Sequence, residues 1–216
     1  APRAMPSSAL LTGADLSGAD LTSADLSGTD LIGVISGNIT GTPTLPSGYQ
    51  IIRGGYIAGP GADLSGAALS TSVENQLFWV YATLTGANLS NTNLTDANLA
   101  EGDLSGADLS GADLTSASFP LANLSDADLS GATLTAIDVY GANLPNADLT
   151  GADFTGTNDA RYADLTGAKL TGADLTGADL SGIDLSGIDL SGTDLSGTDL
   201  TGVISGIITG TPTLPS

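Results

Sequence analysis

Residues 11–31 read LTGADLSGADLTSADLSGTDL, and residues 104–119 read LSGADLSGADLTSASF. Both stretches repeat a five-residue phrase, Ala-Asp-Leu-Ser/Thr-Gly, in one frame. With the large apolar residue as the centre of each pentad, three arrays run from Leu11 to Leu31, from Leu64 to Phe154 and from Leu165 to Leu200. They contain 32 pentads, of which 29 have Leu or Phe at the centre; the exceptions are Glu74, Trp79 and Val139. Such repetition indicates a stack of similar units that bury their apolar faces against one another.

The five-residue period fits neither an α-helix nor an extended strand. In a helix, residues five apart lie well off a common face, and in a strand the faces alternate every two residues. A coil that turns a corner once per pentad does fit. The centre and the small residue two places before it, usually Ala, then face inward, whereas the Asp or Asn between them faces outward. Gly or Asn near the corner favours the positive φ that such a turn needs.

On these residues the chain resembles the pentapeptide-repeat proteins, over roughly three quarters of its length. The resemblance implies an all-β fold: a right-handed quadrilateral β-helix with four pentads to a coil, in which central Leu or Phe and small Ala residues fill the core. Thirty-two pentads then make about eight coils. At ~4.8 Å between hydrogen-bonded layers, the rod is about 40 Å long.

A longer repeat divides the chain. The segment GVISGNITGTPTLPS at 33–47 returns as GVISGIITGTPTLPS at 202–216, each time directly after pentads. We therefore interpret residues 1–47 as the tail of a preceding repeat unit, with pentads at 9–33 and an irregular stretch at 34–47. Residues 48–61 are predicted to be a hairpin or connector, and 62–216 the main solenoid with an irregular end at 202–216. The duplication suggests a longer protein built of such units, in which residues 8–31 stack on the main rod or on another chain.

Two interruptions lie within the main solenoid. Residues 70–82 break the motif and bring Phe78, Trp79 and Tyr81 close together in sequence. They either cap the core of the first coils, the simpler interpretation, or form an exposed aromatic patch that docks a partner. The stretch TNDARY at 157–162 adds one residue between Phe154 and Leu165, which is the size of a single-residue bulge.

The composition argues against catalysis. The chain has no histidine and no cysteine, and its carboxylates are expected in outward rows where nothing desolvates or pairs them. Phosphate-binding glycine motifs are absent from the sequence. We therefore expect a protein that is not an enzyme and has no cofactor, catalytic residue or metal site.

The charge is strongly acidic, with 24 Asp and Glu against 4 Lys and Arg and a formal net charge of −20. Such a rod repels nucleic acid and anionic membranes and attracts cationic surfaces; neither nucleic acid nor membrane is an expected partner. No stretch has the roughly eighteen apolar residues of a membrane span, and no signal peptide is visible. If four pentads form a coil, Asp108, Asp128 and Asp148 stack in one acidic ladder, followed by Lys169 and then Asp189. The ladder is a candidate interaction surface.

Three functions fit these patterns. The first is a structural or spacer rod within a larger bacterial repeat protein, with self-association through the solenoid ends. The second is an inhibitor that imitates duplex DNA and occupies the cationic surface of DNA gyrase, as the resemblance to fluoroquinolone-resistance pentapeptide-repeat proteins implies. The third is an ice- or calcium-binding surface built from hydroxyl rows such as Thr150, Thr171 and Ser191 or from Asp rows. The composition favours an extracellular or periplasmic location.

Overall fold

The computed structural model describes residues 10–67, 69, 82–157, 159–204, 206 and 209–214. Its dominant feature is a series of single parallel β-bridges between residues twenty apart, such as Asp103 with Asn123 and Asn123 with Asn143. Twenty residues are four pentads, so each turn of the coil has four sides. No α-helix occurs among the described residues.

Backbone hydrogen bonds join each coil to the coils on both sides of it. In the pentad centred on Leu109, the Asp108 N–H donates to Ala87 O in the coil before, at 2.9 Å. The Leu109 N–H donates to Asp128 O in the coil after, at 2.6 Å. Since most pentads of the main array repeat this pair of donors, no coil there satisfies its backbone polar groups alone.

A tight turn closes each pentad. The Ala107 N–H donates to Leu104 O at 3.0 Å, three residues back, as in a β-turn. The residue before Ala107 is Gly106, whose φ of 63° lies in the left-handed region. Glycine takes this conformation without steric cost, which explains its rhythm in the sequence. At several corners a residue other than glycine adopts this left-handed conformation: Ser23, Asn91, Asp96, Glu101, Ser116, Leu121, Asp126, Ala136, Asn146 and Tyr162.

The core runs along the inside of the coils. Central leucines such as Leu104 and Leu129, and the small residues such as Ala107 and Ala127, are at most 2% exposed. Phe119 is the largest of the fully buried side chains. One hydrophobic cluster extends from Ala58 to Leu195, so the coils of the main array share one core. The first coils have a second cluster, which includes Leu31 and Val34.

Threonine replaces the small core residue at a few positions without leaving a polar group unsatisfied. The hydroxyls of Thr92, Thr193 and Thr198 are buried, and each donates to the carbonyl of a central leucine in the preceding coil. The acceptors are Leu64, Leu170 and Leu175, at 3.0, 2.7 and 2.8 Å. These bonds offset the desolvation of the hydroxyls.

The N-terminal pentads stack on the same rod as the rest of the chain. One column of bridged residues runs Asp15, Ile35, Asp63, Asn88, Asp108, Asp128, Asp148 and Lys169. The sequence left open whether residues 8–31 stack on the main rod or on another chain. The column of bridges shows that these pentads stack on the main rod. The expected count of about eight coils is not confirmed, because this column alone holds eight residues and further coils follow it. The division into a unit tail, a connector and a main solenoid stays a prediction.

A β-hairpin lies between the first coils and the main rod. Strand β1, Gln50–Ile52, pairs antiparallel with β2, Tyr56–Ala58, and a 3₁₀ turn at Arg53–Gly55 joins them. The strands alternate faces. Ile51 and Ile57 belong to a cluster with Leu31 and Val34, whereas Ile52 and Tyr56 pack against the main core.

The extra residue near 157–162 shifts the register without breaking the stack. Thr133 bridges Asp153, twenty residues on, whereas Asp138 bridges Asp159, twenty-one residues on. The insertion therefore lies between Asp153 and Asp159. There, the buried Thr157 hydroxyl donates to Phe154 O at 2.7 Å, which keeps the bulge hydrogen-bonded.

We expect Leu129→Ala to lower the free energy of unfolding by about 2–5 kcal/mol, because it opens a cavity in the middle of the shared core. Leu214 is 67% exposed, so Leu214→Ala is the matched control and should change stability by less than about 0.5 kcal/mol. Urea unfolding followed by circular dichroism measures both values. Equal effects at the two positions would contradict a continuous core.

Candidate interaction surfaces

The outward Asp and Asn side chains hold the corners in place. In most pentads the Oδ1 atom of this residue accepts the backbone N–H two residues on: Asp108 from Ser110 at 2.9 Å, and Asn88 from Ser90 at 3.0 Å. This is the Asx-turn, which both residue types form because each offers a side-chain oxygen at the same place. The Asp rows therefore have a structural role that the sequence analysis missed. The alternation of Asp with Asn at this position was the available signal.

The same contacts shift the titration of the carboxyls. The Ser191 hydroxyl donates to Asp189 Oδ1 at 2.6 Å and its backbone N–H donates at 2.9 Å. These bonds, the hydroxyl first, lower the pKa of Asp189 below 3.8. The hydroxyl and N–H of Thr22 lower the pKa of Asp20 in the same way. The pKa is also lowered for Asp15, Asp25, Asp103, Asp113, Asp148, Asp153, Asp184, Asp194 and Asp199.

The acidic ladder has the geometry that counting pentads predicted. Asp108, Asp128 and Asp148 are bridged in series, and Lys169 follows Asp148. Lys169 Nζ lies 2.7 Å from Asp148 Oδ2, which confirms that the lysine lies on the same face as Asp148; the next predicted step, to Asp189, stays a prediction. Its hydrogen bond is the largest cause that lowers the pKa of Asp148. The role of this ladder as an interaction surface stays a prediction.

Two of the three hydroxyls in the predicted row, those of Thr150 and Ser191, are already engaged by carboxylates. Thr150 Oγ1 donates to Asp148 Oδ1 and Ser191 Oγ donates to Asp189 Oδ1, both at 2.6 Å. A hydroxyl held in this way has its hydrogen directed into the turn and not toward solvent. Among the described residues, no group of three or more acidic side chains is arranged to hold a metal ion.

One corner of the rod carries exposed aromatic and aliphatic side chains that the sequence analysis did not single out. We call it the aromatic corner: Leu121, Tyr140, Arg161 and Tyr162. The Leu121 N–H donates to Tyr140 O, and the Gly141 N–H to Arg161 O, so the corner spans three successive coils. Leu121 is 58% exposed and Tyr162 is 74% exposed.

The members of the aromatic corner contact one another. The rings of Tyr140 and Tyr162 meet edge to face, with centroids 5.4 Å apart and planes at 80°. Arg161 Cζ lies 5.8 Å from the centre of the Tyr140 ring, and its guanidinium pairs with Asp159 at 2.7 Å. Large residues at the turn positions of the pentads, where Gly and Ser are usual, were the signal for this surface.

The other aromatic candidates fall outside the described part of the chain. Phe78, Trp79 and Tyr81 lie in the stretch 70–81, outside the described residues. Whether they cap the core or form a docking patch stays a prediction. Among the described residues, no helix has the length and apolarity to cross a bilayer.

The stacked four-sided coils define a β-solenoid whose surface is set by a repeated turn. A family model of pentapeptide repeats matches the chain in eight copies, over residues 7–35, 80–115, 122–158, 158–187 and 168–204. The chain therefore belongs to the pentapeptide-repeat family, whose members form right-handed quadrilateral β-helices. No curated protein sequence matches it.

Solved structures of the family are similar to the chain. HetL of the cyanobacterium Nostoc sp. strain PCC 7120, a pentapeptide repeat protein involved in heterocyst differentiation regulation, is 32% identical. That match covers 91% of this chain and 84% of HetL, with a TM-score of 0.33. A thylakoid-lumen pentapeptide repeat protein of Arabidopsis thaliana is also 32% identical, over 53% of this chain and 65% of its own, with a TM-score of 0.28. QnrB1, a plasmid-mediated fluoroquinolone resistance protein, is 22% identical over 92% of both chains, with a TM-score of 0.41.

We expect acid to destabilise the rod. The pKa values of carboxyls such as Asp103, Asp113 and Asp153 lie below 3.8 in the folded protein. As the pH falls, the unfolded chain therefore takes up protons before the folded chain does. Their contribution is fully present above the pKa of the unfolded chain and is lost as the pH falls through the folded values. The thermal midpoint should therefore decrease from pH 5 to pH 2.5. Measurement in 0.5 M NaCl limits the opposing effect of reduced charge repulsion.

The matched variant for this titration carries Asp103→Asn, Asp113→Asn and Asp153→Asn. Asparagine keeps the Asx-turn acceptor, as Asn88 and Asn93 do in the native chain, but it does not titrate. The variant should fold at pH 7 and lose less of its thermal midpoint in acid. A midpoint that rises on acidification of the parent would contradict the stabilising role of the carboxylates.

Leu121→Gly should raise the free energy of unfolding by up to about 1 kcal/mol. Leu121 has a φ of 60°, which costs a residue with a Cβ atom roughly 1–2 kcal/mol, and glycine's greater unfolded-state entropy offsets part of the gain. The reverse change, Gly106→Leu, is made at a corner with φ 63° and open space around the new Cβ. It should destabilise by a similar amount in the same unfolding assay. A loss of stability in Leu121→Gly would show that the leucine serves the fold.

Proposed function

We propose that the chain is a non-enzymatic spacer, a rigid rod that holds whatever lies at its two ends at a fixed separation. The observation that supports this most directly is the unbroken column of parallel bridges from Asp15 to Lys169. It includes Ile35 of the irregular stretch, steps from there to Asp63 past the hairpin, and continues through the main array and across the one-residue insertion.

The bonding within the column supports rigidity. A regular pentad such as 107–111 donates one backbone hydrogen bond to the coil before, two to the coil after and one within its own turn. The corners are held by Asx contacts, and the core beneath them is continuous. Bending such a rod would break several of these contacts at once, because all four sides of a coil are bonded to the next.

The surface chemistry also supports a non-enzymatic role. The carboxylates bind hydroxyls and backbone N–H groups of their own turns, as Asp113 does with Thr115 and Asp153 with Thr155. They are spread in rows over the sides of the rod, and none lines the cavities beside Phe154, Leu214 or Tyr49. The lining of the small internal cavity beside Phe154 is entirely apolar.

The DNA-mimic alternative has weaker support. The acidic ladder of Asp108, Asp128 and Asp148 would be its active face, but Lys169 pairs with Asp148 at its end. Since most corners use a side-chain oxygen of Asp or Asn in an Asx-turn, acidic rows arise in such a solenoid without any partner to select them. The ice-binding alternative is weakened by the hydroxyls that donate to Asp148 and Asp189.

Distance measurement between spin labels tests the spacer proposal. The chain has no cysteine, so Ser17→Cys with Thr171→Cys gives two unique labels at exposed corners. The two sites are seven layers apart in the column, which at ~4.8 Å per layer gives about 34 Å. We expect one narrow distance distribution near this value. The pair Ser17→Cys and Ser110→Cys, four layers apart, is the control and should give about 19 Å.

A broad or multiple distribution for the seven-layer pair would contradict a rigid spacer. A gyrase supercoiling assay separates the spacer from the DNA mimic. The spacer leaves supercoiling unchanged at a large excess over the enzyme. Inhibition by the parent that is lost in a variant carrying Asp108→Asn, Asp128→Asn and Asp148→Asn would overturn the spacer in favour of the mimic.

A further inference from the structure

The C-terminal end of the rod is an apolar face that has a near-identical counterpart inside the chain. Residues 33–47 and 202–216 differ only at Asn38 and Ile207. The two segments also stack in the same way on the coil before them. Ile35 bridges Asp15 and Thr44 bridges Asp25, while Ile204 bridges Asp184 and Thr213 bridges Asp194. The chain therefore presents one surface twice, in two different surroundings.

The inner copy is more deeply buried than the outer copy. Leu31 and Val34 are both 0% exposed, whereas their counterparts Leu200 and Val203 are partly exposed. Leu45 is partly buried, but its counterpart Leu214 is 67% exposed. The sequences match at these positions, so the difference comes from what lies on top of them.

The cover on the inner copy is the hairpin segment 48–62. Tyr49, Ile51, Ile57 and Ala62 from this segment form one cluster with Leu31 and Val34 beneath them. On the outer copy, an open cavity of about 340 Å³ is lined by Leu195, Leu200, Val203, Pro212 and Leu214. The inner copy keeps an open cavity at its edge, beside Pro43 and Leu45. The outer cavity is apolar on most of its surface, as a face made to receive isoleucine and tyrosine would be.

Backbone hydrogen bonds fix the segment on the inner copy. The N–H groups of Gly33, Asn38 and Ile39 donate to the carbonyls of Gly61, Gly54 and Gly55 at 2.6, 2.5 and 3.2 Å. Gly55 also has a positive φ, and a Cβ atom there would meet the backbone of Ile39. The close approach therefore depends on glycine in the covering segment.

The corresponding backbone N–H on the outer copy has no acceptor among the described residues. This is the N–H of Gly202, which matches Gly33. A free donor beside an apolar cavity is the pattern left when a hydrogen-bonded layer is missing from a stacked sheet.

We propose that the end face formed by Leu200, Gly202, Val203 and Leu214 is a docking site for the hairpin of a further repeat unit of this sequence type. That hairpin has the sequence of residues 48–62, GYQIIRGGYIAGPGA. Its isoleucines fill the cavity, and its carbonyl at the Gly61 position accepts the Gly202 N–H. Repeat units then join end to end with the same contacts that join residues 33–47 to 48–62. This inference concerns one face of the rod and does not depend on the spacer role.

The test adds the proposed occupant to the full chain. Ser216 matches Ser47, so a copy of residues 48–62 placed directly after Ser216 continues the chain as it continues after Ser47. The matched control has the same extension with serine in place of the isoleucines that copy Ile51 and Ile57. Hydrogen exchange by mass spectrometry then reports on the peptide 195–204 in the parent and in both extended proteins.

We expect exchange of the Gly202 amide to slow at least tenfold in the extended protein and to stay at the parent rate in the serine control. The peptide around Leu129 should exchange equally in all three proteins, which shows that the rod itself is intact. Equal rates for Gly202 in parent and extended protein would overturn the proposal, as would equal slowing by the serine control. Light scattering completes the test, because a parent that dimerises with Gly202 already protected would assign the face to a second copy of this chain.

Discussion

The structure depends on backbone hydrogen bonds between coils that are far apart in sequence. Asp108 and Leu109 are neighbours in the chain, yet one donates to the coil before and the other to the coil after. A single coil therefore has unpaired backbone donors and acceptors on both faces, and its apolar side chains have no neighbouring coil to pack against. Fixing its backbone costs about 1–2 kcal/mol per residue, which only contacts with both neighbours offset. Stability is a property of the stack, as in other repeat architectures.

The turn explains which residues the pentad tolerates. Asp or Asn accepts the N–H two residues on, Ser or Thr can add a hydroxyl donor, and Gly takes the left-handed position. Asn88 and Asn93 make the same contacts as their Asp neighbours without a charge. The turn thus does not require the negative charge, and Lys169, which stacks at the same position, shows that a single corner tolerates the loss of the oxygen as well. The net charge of −20 is separable from the architecture, and it alone gives little information about a partner.

Much of this architecture follows from the sequence because the period is strict. Four pentads to a coil places Asp108, Asp128 and Asp148 in one column, and one inserted residue then places Lys169 beside Asp148. The sequence no longer predicts the stacking where the five-residue period is interrupted. The steps from Ile35 to Asp63 and from Asp63 to Asn88 pass through non-repeating sequence, so nothing in the spacing fixed how the first coils join the rod.

The surfaces were harder to predict than the fold. The aromatic corner was missed because Leu121, Tyr140 and Tyr162 are far apart in sequence and meet only when the coil register and the insertion are both known. The Asx contacts were missed for a different reason. An outward-facing Asp in a repeat suggests a solvated charge, and its bond to the local backbone becomes visible only when the turn geometry is known.

A regular solenoid presents the same turn on every side, so its repeats alone cannot distinguish one partner from another. Specific recognition must therefore reside where the repeat is altered. The described residues offer three such places: the aromatic corner, the Lys169–Asp148 pair and the apolar end face. The first two replace small or acidic residues on a surface whose folding does not need the change. The end face differs from them because its sequence is the same in both copies and only its surroundings change. The inner copy shows which contacts cover this face. The end face is therefore the one of the three places whose partner can be inferred from the chain itself.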